Sequence, residues 1–139
     1  MSLRIFRTGD EQLFLSMVNV AYRNLETLTT ERVKRLTSPP YFNPEGFFIA
    51  EKERLPIGCV GVFNLPAEKF LEIRYLAVKE AFSNLAVVND LIEAALKYST
   101  SKQPKMVKAV TLAIQPYVKA YQKNSALSLL GGYCEQLGT

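Results

Sequence analysis

Apolar and polar positions alternate from Leu3 through Arg4, Ile5 and Phe6 to Arg7, the period of a strand with one buried face. Thr8 and Glu11 follow with the three-residue spacing of a capping box, so a helix is expected to start here. Leu13, Phe14, Met17, Val18, Val20 and Ala21 recur at helical spacing and carry that helix to about Asn24. A second short helix fits Thr30 to Leu36, and Ser38-Pro39-Pro40 ends it, because proline cannot continue a helix. Phe47 to Glu51 and Ile57 to Phe63 read as the two strands of a hairpin across the polar turn from Lys52 to Pro56. Asn64-Leu65-Pro66 breaks the second strand, and Phe70 to Val78, rich in β-branched and aromatic residues, forms the next. Ser83 or Asn84 caps an amphipathic helix whose apolar positions are Leu85, Val88, Leu91, Ile92, Ala95 and Leu96, reaching about Thr100. Val107 to Ile114 reads as a buried strand, and Pro116 suits the first turn of a helix ending near Asn124. The pattern from Ala126 to Thr139 leaves strand and helix both open.

The predicted order is β-α-α-β-β-β-α-β-α, without repeats, low-complexity tracts or long linkers. That order points to one α/β (α+β) domain over residues 1–139, a mixed central sheet flanked by helices on both faces. A chain of 139 residues with 48% hydrophobic and 22% charged residues can bury a core without disulfides or metals. The two cysteines, Cys59 and Cys134, lie in apolar contexts far apart and read as small core hydrophobes. Apolar runs are too short to span a bilayer, and no basic-then-apolar leader opens the sequence, so no membrane association and a cytoplasmic location are expected.

Histidine is absent. Any acid–base chemistry must therefore use Glu, Asp, Lys, Tyr or Cys, and mechanisms built on Ser-His, Cys-His or His-metal sets are excluded. No metal is expected. The net charge of +4 is spread along the chain, and its densest basic segment, Arg32-Lys34-Arg35, is short. Nucleic-acid binding would call for clustered positive charge with aromatic platforms, so none is expected.

The chain resembles the GNAT (N-acetyltransferase) superfamily over nearly its whole length. The residues that carry the likeness are the opening strand and helix with Asp10, the pair Phe48-Ile49-Ala50-Glu51 and Ile57-Gly58-Cys59-Val60-Gly61-Val62, and the strand Leu71-Glu72-Ile73-Arg74-Tyr75-Leu76-Ala77-Val78. The resemblance implies acetyl-CoA as cosubstrate. It implies that the last strand splays from its neighbour and that the pantetheine arm pairs with backbone amides at Leu76, Ala77 and Val78. The family's loop of the form Gln/Arg-x-x-Gly-x-Gly/Ala falls on Ser83, Asn84, Leu85, Ala86, Val87 and Val88. Ser83 replaces Arg or Gln, Ala86 and Val88 replace glycines, and Glu80 stands where a proline is common, so the loop is degenerate at each of these side chains. Backbone amides at a helix N terminus can still face a pyrophosphate, because they do not depend on side-chain identity.

In the last helix, Tyr121 matches the family's conserved tyrosine, while Ser125-Ala126 replaces the Gly-Phe pair expected four residues later. The resemblance makes Tyr121 the general acid for the leaving thiolate, a role a phenol can fill without carrying charge. It makes Glu72 the candidate base, provided its carboxylate faces an apolar cleft rather than pairing with Arg74. Strand alternation places Glu72, Arg74 and Leu76 on one face. Tyr22 and Glu26 lie where the family builds its acceptor site.

Two functions follow. One is an acetyl-CoA-dependent N-acyltransferase acting on a primary amine of a small molecule or peptide. The other is a non-catalytic domain of the same fold that binds a partner or an acyl-CoA without turnover. The family usually has two more strands after the last helix, and a second copy in a homodimer could supply the missing edge.

Overall fold

The computed structural model describes residues 1–22, 27–82, 84–112, 115–123, 127 and 132–137. Its elements are β1 (Ser2–Ile5), α1 (Glu11–Ala21), α2 (Thr30–Leu36), β2 (Phe47–Lys52), β3 (Leu55–Leu65), β4 (Phe70–Val78), α3 (Leu85–Ser101), β5 (Met106–Leu112), α4 (Gln115–Lys123) and β6 (Tyr133–Leu137). The strands lie in the order β1-β2-β3-β4-β5-β6. The first four pair antiparallel, whereas β4–β5 and β5–β6 are parallel. Each parallel pair is joined through a helix, as a parallel crossover requires.

Neighbouring residues of β2 show where the helices sit. Phe47 packs its ring on Phe14 of α1, at 4.9 Å between centroids, while Phe48 turns to Tyr98 of α3. Side chains alternate across a strand, so α1 and α3 cover opposite faces of the sheet. On the α1 face the rings of Phe14, Phe47, Phe63 and Tyr75 interlock. Gly61 lies beneath them: a Cβ there would come within 2.6 Å of the Phe63 ring. The α3 face is aliphatic, with Val88, Leu91, Ile92 and Ala95 fully buried.

β3 runs through Asn64 and Leu65, which pair with Leu71 and Phe70, so the strand ends two residues later than the expected Phe63. The hairpin turn is only Glu53-Arg54, both at positive φ (52° and 68°). Two such residues have the twist that joins antiparallel strands, although Asn-Gly is the usual sequence. The tail contributes β6, parallel to β5 from Tyr133 opposite Lys108 to Leu137 opposite Leu112.

The start of α1 also differs from expectation. Asp10, not Thr8, is its N-cap residue, and its side chain makes no capping hydrogen bond. Arg4 of β1 donates to both Asp10 carboxylate oxygens, at 2.7 and 3.0 Å, and the Arg7 amide donates to the same carboxylate at 2.7 Å. Glu11 still reaches back, accepting the Gly9 N–H at 2.9 Å. Arg4 also meets Glu51 of β2 at 3.0 Å, so one guanidinium ties β1, α1 and β2 together. Burial alone would raise the Asp10 pKa, but the Arg4 and Arg7 hydrogen bonds and charges outweigh it and hold it below the ordinary 3.8. A depressed carboxylate pKa stabilises the fold fully above the unfolded value, and the gain is lost as pH falls through the folded one. Asp10→Asn should therefore lower the urea midpoint near neutral pH, and the gap to the unmodified protein should narrow in acid as the pH falls below the ordinary carboxylate value and through the depressed one.

Candidate active site

Only four rungs join β4 to β5, from Phe70 opposite Met106 to Ile73 opposite Ala109. Beyond them β4 continues to Val78 and β5 to Leu112 without pairing, so the strands part. The cause lies in β4. Tyr75 has φ of +62°, and the β3 register passes from Gly61 opposite Arg74 to Cys59 opposite Ala77. Val60 therefore faces two residues, Tyr75 and Leu76, which is a β-bulge that bends the strand.

The bulge shifts which side chains share a face. Arg74 and Ala77 now lie on the α1 face, opposite Gly61 and Cys59, and Leu76 turns to the other. The expected grouping of Glu72, Arg74 and Leu76 is thus corrected to Glu72 and Arg74. Their side chains meet at 3.4 Å, and both are largely shielded from solvent. Arg74 also lies over the Tyr75 ring at 4.8 Å.

Backbone direction is equally informative. The Lys79 N–H donates to the Ile57 carbonyl at 2.8 Å, so Lys79 and Ala77 turn their backbone toward β3. Leu76 and Val78, one position out of phase, turn theirs into the gap. Of the three residues expected to meet the pantetheine arm, Leu76 and Val78 turn their backbone to the gap and Ala77 turns its own to β3. Leu76 and Val78 are already engaged by tyrosines. The Tyr22 hydroxyl donates to the Leu76 carbonyl at 3.0 Å, and the Val78 N–H donates to the Tyr117 hydroxyl at 2.8 Å. Tyr22, expected at the acceptor site, is buried; Glu26 lies outside the described residues.

A cavity of about 840 Å³ opens at the mouth of the gap. Leu13, Met17 and Val20 of α1 form one wall, and Val78, Leu112 and Tyr117 form the other. Its lining is mainly apolar, and Lys79 and Glu80 supply charge at the rim. Of the residues in the two walls, Val78 is the one that the sequence singled out as a site residue. The available signal for Tyr117 was its position one helical turn before Tyr121.

The α3 N terminus follows a short turn over Glu80–Phe82. Val88 is fully buried in the core, so its side chain does not fill the phosphate face. Asn84 caps the helix: its side chain accepts the Val87 N–H at 3.1 Å, and its carbonyl accepts that of Val88 at 3.2 Å. The amides of Leu85 and Ala86 are left without a helical partner, and Ala86 is exposed. Of the residues expected to hold pyrophosphate, those two therefore offer backbone donors, Val87 and Val88 do not, and Ser83 lies outside the described residues.

Tyr121 lies one turn deeper than Tyr117 along α4. It is buried beside Cys134, and its hydroxyl has no hydrogen-bond partner among the described residues. Burial first, and then Cys134, push its pKa well above the usual phenol value, so it stays protonated. Burial raises the Cys59 thiol to about 12 against a small opposing effect of the Ala77 backbone, so neither it nor the half-buried Cys134 has thiolate character. Among the described residues no three His, Cys, Asp or Glu side chains gather as metal ligands, and no helix is long and apolar enough to cross a membrane.

Comparison with known proteins gives this geometry a context. Residues 16–124 match the model of the acetyltransferase (GNAT) family. Among solved structures, Ard1 from Thermoplasma volcanium superposes with a TM-score of 0.70 at 19% identity, over 88% of this chain and 79% of that one. An Agrobacterium tumefaciens putative acetyltransferase gives 0.63 at 20% identity, over 100% and 97%. Rv2747 from Mycobacterium tuberculosis, solved with CoA and NLQ, gives 0.61 at 20% identity over 77% of this chain, which spans 62% of it. An Enterococcus faecium aminoglycoside 6'-N-acetyltransferase gives 0.61 at 13% identity, and the chain spans 58% of that protein. No curated protein sequence matches.

Asn84→Ala should destabilise the fold by about 1 kcal/mol, the usual cost of losing an N-cap side chain. The drop is read as a shift in denaturant midpoint at constant slope.

Proposed function

The chain belongs to the acetyltransferase (GNAT) family, and we propose that it transfers an acetyl group from acetyl-CoA to a primary amine. The observation that carries this reading is the parting of β4 and β5 beyond Ile73 and Ala109, with a cavity at its mouth. The residues present suit the cosubstrate in its backbone contacts. Leu76 and Val78 turn a carbonyl and an amide into the gap, matching an amide-bearing arm, and the amides of Leu85 and Ala86 suit pyrophosphate. In the transfer, the amine nitrogen bonds to the thioester carbonyl carbon, the C–S bond breaks, and the thiolate takes up a proton.

Glu72 is the proposed base, acting on the amine directly or through water, with Arg74 fixing its carboxylate. Tyr121 is the proposed acid: its hydroxyl is protonated, dry and unpartnered among the described residues. An unpartnered buried hydroxyl carries a desolvation cost that a bound sulfur could relieve. The acceptor is an amine on an apolar body, because α1 presents Leu13, Met17 and Val20 to the cavity and Glu80 is the acid at its rim.

A second reading has its own support. Tyr22, Tyr117 and Asn84 already occupy groups that CoA would use, and Glu72 is paired with Arg74. A domain so satisfied internally would bind acyl-CoA or a partner without turnover.

Calorimetry with acetyl-CoA, followed by thiol release across a panel of primary amines, separates the two. Transfer predicts binding and turnover. It also predicts a kcat about 100-fold lower in Glu72→Gln, with unchanged Kd, and at least tenfold lower in Tyr121→Phe. Binding without turnover on any amine would leave the second reading alone, and no binding at millimolar ligand would remove acetyl-CoA from both.

A further inference from the structure

A strand edge that leaves its sheet inside a protein exposes backbone groups that need partners, because an unpaired buried N–H or carbonyl is costly. In β4 the residues that face the gap are Leu76 and Val78, and the Leu76 carbonyl and the Val78 N–H have tyrosine partners. The two tyrosines differ in their surroundings. Tyr22 extends from the end of α1, and its ring lies against Tyr75 in the core at 6.3 Å. Tyr117 comes from the first turns of α4 and lines the cavity together with Val78, the residue it bonds. Its hydroxyl accepts the Val78 N–H, the role that an amide carbonyl of an incoming pantetheine arm would play. Two acceptors cannot both take that hydrogen at full strength.

We propose that the Tyr117 hydroxyl holds the place of a cofactor amide carbonyl on the Val78 N–H and must leave it when acyl-CoA enters the gap, so that this phenol sets the affinity for the cofactor. The inference rests on the reading of the gap as the acyl-CoA site. It makes Tyr117 a positioning residue for binding. The free protein satisfies the Val78 N–H through Tyr117, and the cofactor has to displace that contact. Removing the hydroxyl would leave the Val78 N–H unpaired in the free protein and paired in the complex, which favours the complex.

The test is CoA binding by calorimetry to the unmodified protein and to Tyr117→Phe, with melting of both measured without ligand. The expected result is a lower melting temperature for the free variant and CoA binding about five- to tenfold tighter. Equal or weaker binding by a folded variant would overturn the inference and leave the acyl-CoA reading standing. No binding by either protein at millimolar CoA would overturn both.

A second measurement does not depend on the variant folding. The unmodified protein is labelled with 3-fluorotyrosine, and the resonances of its seven tyrosines are assigned by replacing other tyrosines singly with phenylalanine. The Tyr117 signal should move on saturation with CoA. A stationary Tyr117 signal while CoA binds would overturn the inference.

Discussion

The hydrogen bonding between β4 and β5 stops at Ile73 and Ala109, and the functional half of the molecule depends on that stop. Parallel strands of this length would ordinarily pair to their ends. Here the bulge at Tyr75 turns the second half of β4 away, and the sheet opens like a fork. The tines are Leu76–Val78 on one side and Val110–Leu112 on the other. α1 and α4 stand across the opening and supply the tyrosines that its inner edge requires. The large cavity lies at this fork because it is where two strands that should touch do not.

The chemistry available there is spare. Without histidine, the proton-handling groups close to the fork include carboxylates, phenols and the Lys79 amine at the rim. Glu72 lies on the last paired stretch of β4, and its carboxylate is held by Arg74, while Lys108, opposite it in register, pairs with Glu135. Tyr121 is the opposite case, a neutral group in a dry setting. Acyl transfer needs a base with access to the acceptor and an acid near the sulfur. The fold places one candidate for each at the root of the fork rather than in its mouth.

Much of the fold was legible because hydrophobic period and local stops agreed. Thr30–Leu36 and Phe70–Val78 were read to the residue: Thr29 and two prolines bracket the helix, and turn residues bracket the strand. The start of α1 was misread because Asp10 lies close to Arg4 in space, and an ion pair drew away the carboxylate that could have capped the helix. The face of Leu76 was misread for a deeper reason. A bulge built on a non-glycine residue at positive φ leaves no mark in residue type, and it inverts the alternation beyond it. Val88 stands where the family's loop has a glycine, but its helical position faces it into the core with Leu91 and Ile92. Tyr117 was passed over because a family pattern pointed one turn further on, to Tyr121. Which phenol reaches the fork depends on how deeply α4 is set against the sheet, and a linear pattern does not encode that.

The bulge constrains how this chain can change over evolutionary time. The contacts offered at the fork are backbone groups of β4, the Leu76 carbonyl and the Val78 N–H, which do not depend on the identity of their own side chains. They do depend on the number of residues. One residue gained or lost between Phe70 and Tyr75 would swap which backbone groups face the gap and which face β3, and would turn Ile73 out of the core. The lineage of such a strand should show wide drift in spelling and almost none in length.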